Sequence, residues 1–239
     1  MSTASTQRLA VVTGASRGIG LAVAQRLLDD EMCVVMIARN ASALREVAEP
    51  YGDHAVPVEC DVGDPVAIDA MIARVRDEIG TAPDVVVNNA GLFKLSSAHA
   101  TDPSDFAEAL NVNLVAPFRV IRAFLPAMRE RGKGHIINIG SIADRVAFPE
   151  NGAYAASKFG LRGLHEVLRA ELRGSGVRAT LVSPGPVDTA LWDEIDPDNR
   201  PGFSPRASML SADAVASAVM YVVTQPDEVN VDELRLSRS

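Results

Sequence analysis

Short apolar runs alternate along this chain with longer stretches in which apolar residues return every three or four positions. The short runs predict strands at Leu9–Thr13, Cys33–Ala38, Ala55–Glu59, Val85–Asn88, His135–Ile139, Arg178–Ser183 and Glu233–Leu236. Most are hydrophobic almost throughout rather than alternating, which suits strands buried on both faces of a parallel sheet. The longer stretches predict helices at Gly18–Asp30, Ser42–Glu49, Pro65–Ile79, Ser104–Arg131, Tyr154–Arg173 and Ser211–Val223. Pro117 and Pro126 fall inside the fourth of these. Each removes an N–H and crowds the carbonyl four residues back, so a break or kink is expected there. Strict alternation of β and α elements implies right-handed crossovers and a doubly wound α/β sheet. The expectation is one domain at 9–239, with about seven parallel strands and helices on both faces, after a flexible tail at 1–8. The Pro- and Asp-rich stretch 190–207 reads as a long loop, and such loops in compact domains usually serve function, here as a substrate lid.

Composition narrows the partners. The 239 residues suit one α/β domain, and a hydrophobic content of 47% supplies its core. The net charge is -8 and no Lys/Arg block of five or more occurs, so nucleic acid is not an expected partner. No apolar run approaches the roughly 20 residues that cross a bilayer. Residues 1–8 hold no apolar signal core, and Cys33 and Cys60 lie in strand-like runs as buried thiols, so a reducing cytoplasmic location is expected. His54, His99, His135 and His165 are scattered without metal-ligand spacing, and no metal is expected.

Candidate chemistry begins where the first strand runs into Gly14-Ala15-Ser16-Arg17-Gly18-Ile19-Gly20. Glycines there let a phosphate approach the backbone, and the following helix offers free N–H groups and a partial positive charge. That predicts a dinucleotide site. About 20 residues on, an Asp or Glu would bind a ribose 2′-hydroxyl. Here the chain reads Ala38-Arg39-Asn40 instead. Arg39, with Arg17, suits a 2′-phosphate, so NADP is favoured over NAD. The alternative is two ordinary solvated arginines.

Tyr154 and Lys158 stand four apart in a helical run and so share a face. A neighbouring ammonium favours a phenolate and lowers a tyrosine pKa from its ordinary value near 10. Tyr154 then becomes a general acid or base. Ser141 lies just past the C-terminal end of the fifth strand, where open α/β sheets bind ligands.

With Thr13-Gly-Ala-Ser-Arg-Gly-Ile-Gly20, Asn88-Asn-Ala-Gly91, Asn113, Ser141, Tyr154-Ala-Ala-Ser-Lys158 and Pro184-Gly-Pro-Val-Asp-Thr189, the chain resembles the short-chain dehydrogenase/reductase family. These motifs cover essentially the whole chain in the family's order. The resemblance implies a Rossmann fold and an oxidoreductase that interconverts a carbonyl and an alcohol with NADPH. It implies Tyr154 as acid/base, Lys158 lowering its pKa and holding the nicotinamide ribose, and Ser141 orienting the substrate oxygen. Asn113 would support a water that relays protons from Lys158. Asn89, Ala90, Gly91, Asp61, Val62 and Ile139 would line the cofactor groove, with Asp61 on the adenine amino group. Pro184, Gly185, Val187 and Thr189 would hold the nicotinamide end.

Plainer readings stand beside these. Asn88 to Gly91 could simply end a strand, Pro184-Gly185 could be punctuation, and Asp61 could cap a helix, although Asp64 is better placed. Expected substrate-pocket walls are Phe93, Leu95, Ile142, Ala143, Val146, Phe148, Trp192 and Phe203, mostly apolar. The family also implies a homodimer or homotetramer. A 3-oxoacyl-(acyl carrier protein) reductase shares the motifs and would use a basic docking patch such as Arg122, Arg129, Arg131 and Lys133. A non-catalytic NADP-binding regulator is the other alternative, though such proteins usually lose the Tyr or Lys.

Overall fold

The computed structural model describes residues 7–79 and 82–239. Its strands are β1 (Leu9–Thr13), β2 (Cys33–Ala38), β3 (Ala55–Glu59), β4 (Val85–Asn88), β5 (Gly134–Ile139), β6 (Val177–Pro184) and β7 (Glu233–Leu236). The helices are α1 (Gly18–Asp29), α2 (Ala41–Ala48), α3 (Pro65–Ile79), α4 (Pro103–Leu110), α5 (Ala116–Arg131), α6 (Gly152–Leu172) and α7 (Ala212–Val223). All strands pair in parallel, in the order β3-β2-β1-β4-β5-β6-β7. This is a Rossmann fold. The direction of winding reverses between β1 and β4, which opens a crevice at the carboxyl ends of those strands.

Side chains alternate across the sheet, yet both faces are covered. Val12, Met36 and Val87 pack with Leu27 of α1 and Val219 of α7. Their chain neighbours Val11, Val35 and Val86 pack on the other face with Ile68 of α3, Phe124 of α5 and Leu168 of α6. Double coverage is the physical reason why these strands read as unbroken apolar runs.

The long fourth helix divides. Between α4 and α5 lies one wider helical turn, Asn111–Val115, where the Ala116 N–H reaches the Asn111 carbonyl five residues back. It ends just before Pro117, as the missing N–H requires. The expected break at Pro126 does not occur, because α5 runs through it. Val120, Ile121, Phe124 and Met128 are buried on both sides of Pro126, and their packing outweighs a lost hydrogen bond of roughly 3 kcal/mol. Asp64 caps α3 as expected, accepting the Val66 N–H at 2.8 Å. Of the expected tail, residues 1–6 lie outside the described residues. Gln7 and Arg8 are joined to the fold: the Arg8 carbonyl accepts the Cys33 N–H at 2.9 Å, and Gln7 meets His54 at 2.6 Å.

His135 starts the middle of the sheet almost wholly buried. Thr180 gives its one hydroxyl proton to the Val231 carbonyl at 2.7 Å, so it accepts from His135 Nε2 at 2.8 Å. The proton therefore sits on Nε2, and buried Nδ1 has no partner. Burial, then Arg178 and Arg8, pushes the imidazole down to about 3. In the unfolded chain it protonates near 6.5, so folding excludes a proton between those values. Stability is then full above pH 6.5 and falls as pH drops toward 3, by up to about 1.4 kcal/mol per pH unit from this group. His135→Gln should flatten the loss of urea-unfolding free energy between pH 6.5 and 4.5. Parallel curves for the two proteins would show that His135 does not drive it.

Candidate active site

The β1 turn makes the floor of one large cleft. Gly14 and Gly18 have φ of 69 and 58°, the left-handed region that glycine tolerates. A Cβ on Gly14 would stand 2.8 Å from Asn89 Nδ2, so the turn lies against the end of β4. There Thr13 Oγ1 accepts the Asn89 and Ala90 N–H groups, each at 3.0 Å, and Asn89 Nδ2 donates to the Thr13 carbonyl at 3.0 Å. Arg17 precedes α1 and makes no side-chain cap, which leaves the first N–H groups of that helix without an internal acceptor.

The cleft measures about 1270 Å³. It is lined at one end by Gly14, Ser16, Arg17, Gly18, Ile19, Arg39, Asn40, Asp61 and Val62, then by Asn89, Ala90 and Gly91. Ile139, Ser141, Tyr154, Lys158, Pro184, Gly185, Val187 and Thr189 line the other end. Sequence reasoning thus chose residues that the fold brings together from seven segments of chain. Among the described residues, no carboxylate pairs with Arg17 or Arg39.

Two chosen residues stand back from the cleft. A Cβ on Gly20 would meet the Gly14 carbonyl at 2.2 Å, so this glycine lets α1 pack against the turn. Asn113 is fully buried, and its amide clamps Leu92, accepting the N–H at 2.8 Å and donating to the carbonyl at 2.9 Å. It also donates to Ser157 Oγ at 2.9 Å. Its side chain is thereby engaged away from Lys158, and a water relay would have to use its main chain. Other residues have mixed duties. Asn40 caps α2 by accepting the Ala43 N–H, Asp61 accepts the Gly63 N–H, and the Val187 carbonyl accepts from Trp192 Nε1 at 3.1 Å.

Ser141, Tyr154 and Lys158 converge where β5 ends and α6 begins. Tyr154 lies in the first turn of α6, and Lys158 one turn on, with its Nζ 5.6 Å from the Tyr154 ring centre. Lys158 donates to the Ile139 carbonyl at 2.9 Å. Burial pushes this ammonium down to about 8, against the pull of Asp144. Burial also raises the Tyr154 phenol; a hydrogen bond from Ser141 lowers it in part, and Asp144 adds to the rise. The expected lowering of Tyr154 by Lys158 is therefore not the dominant effect in this geometry. The desolvation of both groups is larger, and it leaves Tyr154 a protonated donor.

Sequence reasoning passed over Asp144. It is fully buried, held by Arg145 Nε at 2.6 Å and by Ser183 Oγ. Gly140 makes room for it, since a Cβ there would lie 2.9 Å from its carboxylate. No spacing in the chain signals this network, which joins residues 39 positions apart. Cys60 lines the cleft as a thiol pushed up to about 11, chiefly by burial.

The segment 190–207 closes one side. Trp192 meets Phe93 edge-on at 5.1 Å between ring centres, and Phe93 meets Tyr154 at 4.8 Å. Several of its acids are pinned: Asp193 pairs with Arg206, Asp198 accepts the Arg206 N–H, and Asp196 accepts from Asn199 Nδ2, while Arg206 also reaches Asp188 just outside the segment. All the expected substrate walls line the cleft except Val146.

The family model for short chain dehydrogenases matches residues 8–200. The chain belongs to the short-chain dehydrogenase/reductase family. It is 35% identical over 96% of both chains to an uncharacterized oxidoreductase of Staphylococcus epidermidis. A metagenomic short-chain oxidoreductase solved with NADP shares 35% identity and a TM-score of 0.83, covering 97% of each chain. An alcohol dehydrogenase from the archaeon Thermococcus sibiricus, solved with 5-hydroxy-NADP, shares 30% identity and a TM-score of 0.85 over 96% of each chain.

As a member of this oxidoreductase family, the chain takes a nicotinamide cofactor, and the cleft fits one. Uncapped N–H groups at α1 suit a pyrophosphate, and the unpaired arginines at its rim suit further phosphate. Among the described residues, no cluster of His, Cys, Asp or Glu could hold a metal ion, and no helix is long and apolar enough to cross a membrane.

Proposed function

We propose that this short-chain dehydrogenase/reductase is an NADPH-dependent enzyme that interconverts a carbonyl compound and its alcohol. One observation carries the reading. Ser141 and Tyr154, with Lys158 one helical turn on, stand on the wall of a cleft that continues to the glycine turn. A bound nicotinamide supplies or takes the hydride. Tyr154 gives its phenolic proton to the carbonyl oxygen as the carbon is reduced, and Ser141 donates a hydrogen bond to the same oxygen. Lys158 restores the proton and holds the ribose, with its own backbone contact to Ile139 fixing its place. In the reverse direction Tyr154 is the base. Arg39 and Arg17 would meet the 2′-phosphate, and Val187 and Thr189 the nicotinamide end. The segment 190–207 would serve as the lid.

The similar proteins support this: the Thermococcus sibiricus neighbour is an alcohol dehydrogenase, and both solved neighbours hold NADP or a derivative. The acyl-carrier alternative would need a free basic patch. Of its candidate residues, Arg131 pairs with Asp84 and Lys133 with Asp227.

NADPH consumption with a panel of ketones tests the reading. Tyr154→Phe keeps the ring and removes the proton donor, so kcat should fall about 100-fold or more with cofactor binding kept. Arg39→Asp should lower the NADPH-to-NADH preference by about tenfold or more, the range for a charge-assisted contact. Unchanged turnover would remove Tyr154 from the reaction, and an unmodified protein that prefers NADH would refute the role of Arg39.

We also propose that the protein assembles about a two-fold axis. Phe106, Val115 and Phe118 around α4 and α5, with Phe159 and Val167 of α6, are apolar and exposed, and a second copy would cover them. Static light scattering should give at least twice the 25.3 kDa chain mass. That mass alone would refute assembly.

A further inference from the structure

One ion pair interrupts the apolar outer half of the cleft. Arg200, from the segment 190–207, and Glu150, from the loop before α6, both line the cavity. Arg200 Nη2 meets Glu150 Oε2 at 2.5 Å. Their side chains are 37% and 44% exposed, so the pair adds little to folding stability. Its placement is nevertheless held tightly. Arg200 lies 4.9 Å over the Phe203 ring, and Phe203 meets Trp192 at 6.2 Å. From Trp192 the ring contacts continue through Phe93 to Tyr154.

Glu150 adopts a φ of 62°, a conformation that a Cβ resists. Its carbonyl accepts the Ser96 N–H at 2.8 Å, which fixes the loop there. Glycine would relieve the strain, yet the chain carries a carboxylate at this point. Strain kept beside a reaction site points to a use for the side chain.

We propose that the Glu150–Arg200 pair is a specificity element that keeps the outer wall of the cleft neutral, and so selects uncharged, aryl-sized carbonyl substrates over their carboxylate counterparts. The proposal rests on the carbonyl-reductase reading above. Around the pair the wall is Phe93, Leu95, Ile142, Phe148, Trp192 and Phe203, which favours an apolar group. A carboxylate reaching for the unused side of the Arg200 fork would lie beside the Glu150 charge. An ester meets no net charge. The other acid on this wall, Glu108, shares Lys94 with Asp105, at 3.0 and 2.9 Å, and so adds no positive charge that would draw a carboxylate. Of the cleft's cations without a carboxylate partner, Arg17 and Arg39 belong to the glycine-turn end, and Lys158 is buried against the Ile139 carbonyl.

Methyl benzoylformate and benzoylformate differ in one charge and test this directly. With NADPH, the unmodified enzyme should favour the ester in kcat/KM by about tenfold, the effect of one partly screened charge several ångströms away. Glu150→Gln frees Arg200, and the acid should gain about tenfold while the ester changes little. Arg200→Leu leaves Glu150 unpaired, and the acid should fall further. The double variant should return the ratio toward that of the unmodified enzyme. A purely structural role would move both compounds together. An unmodified enzyme that prefers the acid, or a ratio unmoved in both single variants, overturns the proposal.

Quenching of Trp192 fluorescence reads binding of the same two compounds without turnover. If neither these compounds nor the ketone panel consumes NADPH, but the ester quenches at lower concentration and Glu150→Gln removes the difference, the reaction reading fails and the selectivity stands. Equal quenching, or none by either compound, overturns the selectivity.

Discussion

Thr13 Oγ1 joins the end of β1 to the end of β4, and the site depends on that junction. It accepts two successive N–H groups, from Asn89 and Ala90, while Asn89 Nδ2 returns a bond to the Thr13 carbonyl. The junction sits where the sheet order reverses, so it fixes the crevice between two halves that wind in opposite directions. Gly14 is the geometric condition for it, since any Cβ would meet Asn89. From this point β4, β5 and β6 end side by side, and each delivers one part of the cleft: Gly91, Ser141 and Thr189 lie just beyond them.

Burial sets the chemistry at the far end. Tyr154 and Lys158 share a helix face, and simple charge reasoning says the ammonium should lower the phenol. The surroundings reverse the balance. Removing both groups from water disfavours both charges, so the phenol rises and the ammonium falls to about 8. A protonated phenol suits proton donation to a carbonyl. Asp144 works against the fall of Lys158 from a fully buried position. That carboxylate needs Arg145, Ser183 and a glycine at 140 around it, because an unpaired buried charge would be strongly destabilising.

The architecture was legible because both sheet faces are buried, which gives each inner strand a run of apolar residues. Cleft residues near a strand end or a glycine turn were legible for the same reason: topology alone brings those ends together. What escaped reading depends on contacts distant in sequence. Asn113 looks like a site residue, yet its amide is spent on Leu92 and Ser157, two segments it meets only after folding. Pro126 looks like a breaker, yet packing of α5 on the sheet carries it. Glu150 and Arg200 belong to no motif and lie 50 positions apart, and only the loop that folds back over the cleft pairs them.

The central proposal is that the glycine turn and the Ser141–Tyr154 pair serve one reaction: the turn would hold the cofactor so that a hydride passes between nicotinamide C4 and a carbon whose oxygen meets Ser141 and Tyr154. NADPH labelled with deuterium at nicotinamide C4, each face in turn, tests it most directly when supplied with a prochiral aryl ketone. The account predicts deuterium on the carbinol carbon of the product from one labelled face. Alcohol free of deuterium from both labelled forms, or no alcohol across a broad set of ketones, would contradict it.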